Sequence, residues 1–524
     1  MQPLSTPLLQ LLKEQLLAAR AYNAEALARK QEGKIIEVPG IGQNIASAYE
    51  QLRRAAESAE EQLLLQRAIR RFYRRSIAFS SNKEPSGVGS ELILDLTHAG
   101  YLANQSVSAQ TAKHITRLTQ QYVKIYQDLG RVRVPRDERL NWVLDILSVE
   151  TEAVLHPRYE RSALAYVAHR HFMELFPREK LVSSPEEDAN YEFCLYIAVH
   201  QALLKSDIAT VRHDLIRVYR QTPKDLAAFA AFNRLVDSAF ASRLTQKLRQ
   251  AVNRYGAPLR IVRAMSEDRP DLPELLDNRA AFLDAYRYQI NKEYRSLAKR
   301  LNRGIIRSIL FVFVTKISVG VAIEIPYDII MLGGVAVLPL AVNLLFPPLY
   351  MASFQLGLRI PSATNASALQ DYIDQILYGD GEPAERVVRV GSRSIPPLAK
   401  VMYSLLFAIP LGLMAYVLSL LHFTIVQGVI FFVFLCTASF LGFRLTKLSR
   451  ELELVPRQTG LFGAVRDFFY LPFAVMGQWI SSRYARLNLV GYILDMLVEL
   501  PMKIALRLVR QWVRFLNEKH EEIY

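Results

Sequence analysis

Four polar residues stand within or between two long apolar runs in the second half of the chain. Lys316 lies near the middle of the first run, Glu324 follows about two helical turns later, Asp328 comes just after the run, and Asn343 lies in the second run. An unpaired ammonium in hydrocarbon costs a few kcal/mol or more, so Lys316 is expected to face a carboxylate. These residues predict a candidate intramembrane polar site. It either lines an ion or proton path or neutralises Lys316 for packing alone.

Two pairs of apolar runs must position these residues. Each run has about the twenty residues that an α-helix needs to cross ~30 Å of hydrocarbon. The runs cover residues 305–325, 329–350, 402–421 and 424–443. Only residues 326–328 separate the first two runs and only residues 422–423 the last two, so each pair predicts a tight helical hairpin. The second pair is almost free of ionisable groups. The first pair contains Lys316 and Glu324, so it also fits the core hairpin of a soluble protein.

Basic residues flank these hairpins on one side. Lysine and arginine precede the first run, occur in the link between the pairs and follow the last run, whereas the two tight turns contain neither. Lysine and arginine collect on the cytoplasmic side of membrane proteins. The pattern predicts an integral membrane protein with both termini in the cytoplasm.

The rest of the chain has the apolar spacing of helices, without the alternation of strands. The sequence therefore predicts an all-α fold: a multi-pass membrane protein with two transmembrane helical hairpins and a large N-terminal cytoplasmic helical region. The predicted segments are 1–80, a basic helical segment; 81–304, a cytoplasmic helical domain; 305–350, the first transmembrane hairpin; 351–401, a cytoplasmic link with one short helix at 366–377; 402–443, the second transmembrane hairpin; and 444–524, amphipathic helices on the membrane surface.

The last of these segments combines a short apolar run with a polar stripe. Residues 468–480 are apolar but too few to span a bilayer. Asp495, Glu499, Lys503 and Arg507 then recur at four-residue spacing, which places them in one line on an otherwise apolar helix. This pattern is typical of helices that lie on a membrane surface, and it also fits packing against the protein's own cytoplasmic helices.

A cluster of arginines is the strongest anion-binding pattern in the N-terminal part. The cluster comprises Arg67, Arg70, Arg71, Arg74 and Arg75. Such a basic helix face binds acidic lipid headgroups as well as nucleic-acid phosphates. A solvated helix face is the alternative interpretation.

A short glycine turn precedes these arginines. The segment Val38-Pro39-Gly40-Ile41-Gly42 is similar to the Gly-x-Gly turn of helix-hairpin-helix modules, whose backbone amides bind nucleic-acid phosphate. The resemblance covers about ten residues and implies nucleic acid as a partner. A plain helix start with glycine at the turn is the alternative.

Composition narrows the classes of function. The net charge of +14 favours anionic partners, although the cytoplasmic bias of basic residues also accounts for it. Two cysteines make neither a disulfide framework nor a zinc site.

His169 and His171 are two residues apart and so point to different faces of a helix, which argues against a shared metal ion. Walker-type, His-Glu-x-x-His and Gly-x-Ser-x-Gly motifs are missing, so we predict no cofactor and no catalytic residue.

Three functions fit these observations. The leading one is a membrane-anchored helical scaffold that recruits a cytoplasmic protein or an anionic polymer. The alternative is a small transporter or channel that uses the polar residues of the first hairpin. Because two hairpins make a thin wall, a pore would need several copies of the chain. The third, a membrane-associated enzyme, has no residue to support it.

Overall fold

Helices form every regular element that the structure describes. The computed structural model describes residues 6–38, 63–79, 87–182, 184–357, 361–379, 397–455 and 461–487. Within these ranges the chain forms no strand, and the one extended pairing is an isolated bridge between Ile35 and Ser108. The predicted all-α class is confirmed. The chain divides into two compact units, which we call the helical unit (Gln10–Val252) and the apolar unit (Asn253–Leu487 with the residues up to Leu9).

The helical unit contains most of α1 and of α12, and all the helices between them. Its helices are α1 (Pro7–Gln31), α2 (Leu64–Phe79), α3 (Val88–His98), α4 (Ala109–Arg131), α5 (Arg136–Leu155), α6 (Tyr159–Leu175), α7 (Arg178–Leu181), α8 (Pro185–Ala189), α9 (Tyr191–Val199), α10 (Ile208–Val218), α11 (Leu226–Phe240) and α12 (Arg243–Tyr255). A π-helical turn, His200–Leu204, continues α9.

Short polar side chains cap several of these helices. Ser108 caps α4 by accepting a hydrogen bond from the Thr111 amide, and Asp207 and Asp225 cap α10 and α11 in the same way. The apolar spacing predicts one helix over residues 223–255, and the structure has two. Ser242 accepts a hydrogen bond from the Thr245 amide at 3.1 Å, so a new helix begins there.

The core of the helical unit joins helices from both sides of residue 80. Tyr73 of α2 is buried in one cluster with Leu92 of α3, Ile115 of α4 and Leu147 of α5. A second cluster surrounds Trp142, which is 1 % exposed. The division of the chain into the segments 1–80 and 81–304 stays a prediction.

The apolar unit contains the predicted hairpins. Its helices are α13 (Ala257–Asp268), α14 (Leu272–Leu275), α15 (Arg279–Val319), α16 (Ile325–Leu332), α17 (Val337–Gly357), α18 (Ala363–Tyr378), α19 (Pro397–Leu420), α20 (Ile425–Arg450) and α21 (Leu461–Leu487). A π-helical segment, Gly320–Glu324, joins α15 to α16. Helix α18 confirms the short helix predicted in the link.

The predicted turn of the first hairpin is wrong. Residues 326–328 belong to α16, and the chain reverses at Gly333, whose φ of 71° is left-handed. Proline is tolerated in the first turn of a helix, so Pro326 does not end this one. Glycine readily adopts the left-handed conformation that ends a helix, which is why Gly333 does. The correction moves Asp328 from a loop into a helix.

Helix α21 packs closely along α20. A Cβ added at Gly477 would stand 2.1 Å from the carbonyl oxygen of Cys436, so only glycine permits this approach. Phe473 of α21 is buried against Leu435 and Phe431 of α20. The predicted apolar run 468–480 is therefore the middle of a longer helix that covers its neighbour. Its placement on a membrane surface stays a prediction.

Two helical stretches are long and apolar enough to cross a membrane by length and composition. They are Arg279–Met331, which runs from α15 through the π segment into α16, and α20. Helices α17 and α19 contain shorter apolar stretches.

Candidate functional site

Five polar side chains of the apolar unit form one buried hydrogen-bonded cluster, which we call the polar network. Its members are Lys316, Glu324, Asp328, Asn343 and Gln427, and each is at most 1 % exposed. The four residues predicted from the sequence are thus brought together, and Gln427 is added. Their functional role stays a prediction.

Glu324 is the centre of one half of the polar network. Its Oε1 accepts a short hydrogen bond from the Lys316 ammonium, and its Oε2 accepts one from the Asn343 amide at 2.9 Å. The Lys316 ammonium also lies 4.9 Å from the centre of the Phe434 ring, within cation–π range. One carboxylate therefore faces one ammonium, and this pair is neutral as a whole.

Asp328 is the centre of the other half. The Gln427 side-chain amide nitrogen lies 2.9 Å from each carboxyl oxygen of Asp328, and the Ala336 backbone amide donates to Oδ2 at 3.4 Å. These donors are neutral. Within the described residues Asp328 makes no ion pair with a lysine or arginine.

Five consecutive or packed helical segments position the network, one for each of its residues: α15, the π-helical segment, α16, α17 and α20. The π-helical segment ends at Glu324, two residues before Pro326, which lacks an amide hydrogen. In this segment the Ile325 amide donates to the carbonyl five residues before it, that of Gly320, so the turn is wider than an α-helical one. This wider turn rotates the residues that follow it, and both Lys316 and Glu324 are buried. Asn343 reaches the network from α17. Gln427 reaches it from the first turn of α20.

Gln427 performs two tasks with one side chain. Its Oε1 accepts from the Thr424 backbone amide at 3.0 Å, and the Thr424 hydroxyl accepts from the Gln427 amide, which together form a capping box. Its Nε2 is left to donate to Asp328. The start of α20 and the polar network are therefore joined through one residue.

One oxygen of the network has no hydrogen-bond donor among the described residues. Asn343 donates through Nδ2 to Glu324 and, at 3.4 Å, to the Gln427 carbonyl, while its buried Oδ1 accepts nothing. A buried acceptor without a donor is costly.

The surface of the apolar unit around the polar network is apolar. Large hydrophobic side chains point outward around the network, among them Ile330, which is 78 % exposed, and Val337, Leu405 and Val429. An apolar exterior around a buried ion pair reverses the usual arrangement of a soluble protein. Such a cluster can bind a proton or a small cation, and it can fix how four helices pack.

The predicted arginine cluster lies on α2 and is partly engaged by carboxylates. Arg70 pairs with Asp145 at 2.7 Å, and Arg75 pairs with Asp95 at 3.2 Å. Arg74 is exposed, with a weak contact to Asn141 at 3.4 Å, and Arg67 and Arg71 are half-buried. Anion or lipid binding by this face stays a prediction.

The helical unit has a buried polar network of its own, which sequence spacing did not reveal. Arg212, 1 % exposed, donates to Asp145 at 3.1 Å, to Asn233 at 2.9 Å and, through a short bond, to Asp237. Trp142 donates to the same Asp237 at 2.8 Å. Because Arg70 also pairs with Asp145, two arginines face two aspartates and the charges balance.

A third cluster surrounds Asp214. Although burial acts to raise it, hydrogen bonds from His213 and Ser162 and the proximity of His200 hold the pKa of Asp214 below its usual value. Burial lowers the pKa of His200. The Ser162 hydroxyl donates to Asp214 at 2.9 Å rather than to a histidine, so it lacks the general base that would make it a nucleophile.

The histidines considered as metal ligands do not converge. His169 contacts the Glu192 carbonyl at 3.1 Å, and burial lowers the pKa of His171 to about 4. Across the described ranges, no group of three or more histidine, cysteine or acidic side chains could hold a metal ion. The glycine turn at 39–42 and the polar stripe from Asp495 to Arg507 lie outside the described residues.

No protein-family model, curated protein or solved structure matches this chain. Its function must therefore be argued from its own residues.

Proposed function

We propose that the chain is a multi-pass membrane protein, a helical scaffold anchored by two transmembrane hairpins. The observation that supports it is the inverted polarity of the apolar unit. A cluster with two carboxyl groups and one ammonium is buried while leucine, isoleucine and valine side chains face outward. In hydrocarbon, ionisable residues face the interior of the bundle and pair there, whereas apolar side chains face lipid.

The ends of the helices supply the orientation. Basic residues lie beside Arg303, where α15 becomes apolar, and around Lys447, near the end of α20. The turn at Gly333 and the start of α20 at Ile425 have none nearby. By the cytoplasmic bias of basic residues, both ends of the chain and the helical unit are on the cytoplasmic side.

Labelling of single cysteines tests this topology in the full chain. With Cys194 and Cys436 replaced, the variants Gly334→Cys and Ile425→Cys should react with an impermeant thiol reagent from one side of sealed vesicles. The matched variants Arg303→Cys and Lys447→Cys should react from the other side. Reaction of all four from the same side, or release of the chain by alkaline carbonate, would contradict the proposal.

The helical unit is the part that recruits a cytoplasmic protein or an anionic polymer. Arg74 is the most exposed arginine of the cluster on α2. Arg74→Glu should weaken binding of the full chain to heparin, an anionic polymer, by several-fold. Arg249→Glu, an equal charge change on exposed α12, is the control. Equal loss in both variants would reduce the effect to net charge.

A second function, a small transporter or channel, is favoured by one observation: the polar network brings Lys316, Glu324 and Asp328 of the first hairpin together. If it lies on a transport path, Lys316→Met should change proton or ion flux into reconstituted vesicles. Unchanged flux would remove the transport role and leave the anchor.

A further inference from the structure

The polar network contains one more carboxyl group than it has cations. Lys316 contributes one positive charge, and Glu324 and Asp328 contribute two acidic groups. Lys316 pairs with Glu324, and Asp328 receives hydrogen bonds from the neutral donors Gln427 and Ala336. With both carboxyl groups ionised, the network has an uncompensated negative charge among apolar helices. Burial of such a charge is strongly unfavourable, and neutralisation by a bound proton is the usual outcome.

The apolar stretches of the neighbouring helices provide no further lysine or arginine to balance this charge. From Ser308 to Met351 the sequence has no other lysine, arginine, histidine, aspartate or glutamate. The remaining titratable groups of the packed helices within the apolar stretches are phenols, a thiol and one imidazole. They are Tyr327, Tyr350, Tyr403, Tyr416 and Tyr470, Cys436, and the exposed His422 at the turn before α20.

The orphaned oxygen of Asn343 points the same way. It is fully buried, belongs to the side chain that binds Glu324, and accepts no hydrogen bond among the described residues. A carboxyl group that holds a proton is a donor, so a bound proton adds a donor to a network that contains an acceptor without one. The charge count and the orphaned acceptor are independent observations.

We propose that the polar network is a proton-binding site, which holds one exchangeable proton on Asp328 while Lys316 and Glu324 stay ionised. The proton comes from water and bonds to a carboxylate oxygen, with no other bond formed or broken. The ligand is a proton rather than a sodium ion. Apart from Asn343 Oδ1, every side-chain oxygen of the network already accepts a hydrogen bond from a protein donor, which leaves too few oxygens to coordinate a metal ion.

Charge counting makes the proposal testable, since the number of protonated carboxyl groups equals acidic groups minus cations. The probe is the infrared C=O stretch of protonated carboxylic acids, measured on the full chain in lipid nanodiscs at neutral pH. Relative to wild type, Asp328→Asn should lose one carboxylic acid, Lys316→Met should gain one, and Lys316→Arg should leave the number unchanged. Glu152, whose pKa burial raises to about 7, contributes a separate signal that Glu152→Gln removes.

Three results would overturn the proposal. They are an Asp328→Asn spectrum identical to wild type, a Lys316→Met spectrum with no gain, and a carboxylic acid signal that appears only when sodium is withdrawn. The last would assign the site to sodium. If Lys316→Met loses its helical circular dichroism, Asp328→Asn and Lys316→Arg still decide the question. The inference relies on the proposed membrane placement only for its apolar surroundings, and carbonate extraction tests that placement separately.

Discussion

Each unit contains a polar network, and the two networks differ in charge balance. In the helical unit, Arg212 and Arg70 face Asp145 and Asp237, two charges against two. In the apolar unit, Lys316 alone faces Glu324 and Asp328. A balanced network can remain ionised throughout and act as a fixed part of the core. In our proposal the unbalanced network takes up a proton, and this distinguishes it from the balanced one.

Loss of the buried Arg212 from the balanced network should have the largest effect on the free energy of unfolding. Arg212→Met leaves Asp145 buried beside a single arginine, and breaking a buried pair costs about 3–5 kcal/mol of the free energy of unfolding. The matched control is Arg234→Met, which removes an exposed pair with Glu138 worth about 0–1 kcal/mol. Unfolding is followed by the fluorescence of buried Trp142, with Trp479 and Trp512 replaced by phenylalanine. Equal costs in the two variants would show that burial does not matter here.

Replacement of one aspartate by asparagine in each network compares how much each carboxyl group contributes to stability. Asp145→Asn removes a charge that two arginines need and should cost about 1.5–3 kcal/mol. Asp328→Asn replaces a carboxyl group that is already neutral in our proposal and should cost less than about 1 kcal/mol. Both are measured by loss of helical circular dichroism on titration with a denaturing detergent. A larger cost at Asp328 would indicate an ionised, structurally essential carboxylate and reverse the distinction.

The helical unit should also lose stability in acid through His171. Burial lowers the pKa of His171 to about 4 in the folded state, against 6.5 when unfolded. The unfolded chain therefore binds the proton first as pH falls through this window. At pH 5 the loss is about 2 kcal/mol relative to pH 7.5. His171→Leu should flatten this dependence, measured by denaturant unfolding of Trp142 at both pH values. An unchanged pH dependence in the variant would show that other groups cause it.

Shape, rather than charge, holds the last helix of the apolar unit. Gly477→Ala would push a methyl group into the Cys436 carbonyl and should destabilise the unit by about 1 kcal/mol or more. Gly428→Ala, on the same pair of helices but with nothing within 4 Å, is the control and should be neutral or slightly stabilising. Thermal melting in nanodiscs distinguishes the two, and similar melting temperatures would indicate that α21 shifts without cost.

Sequence reasoning located the apolar helices and four members of the polar network because long apolar runs make an internal lysine conspicuous. It placed the first turn at residues 326–328 because they separate two apolar runs of membrane-spanning length, whereas the helix ends at Gly333. Gln427 was missed at the start of an apolar run, although Thr424 three residues before it fits a capping box. Arg212 and Asp145 are 67 positions apart, and only the folded chain shows that they meet.

The double role of Gln427 has a consequence for biogenesis. In the membrane topology that we propose, a ribosome delivers the first hairpin before the second, and the partner of Asp328 follows 99 positions later. Until then the first hairpin contains a carboxyl group that only its own turn can satisfy, so it cannot settle fully into lipid. When α20 arrives, Gln427 starts the new helix and satisfies Asp328 in one step. Insertion of the second hairpin therefore completes that of the first, and a chain truncated before residue 424 should be recognised and degraded as unfinished.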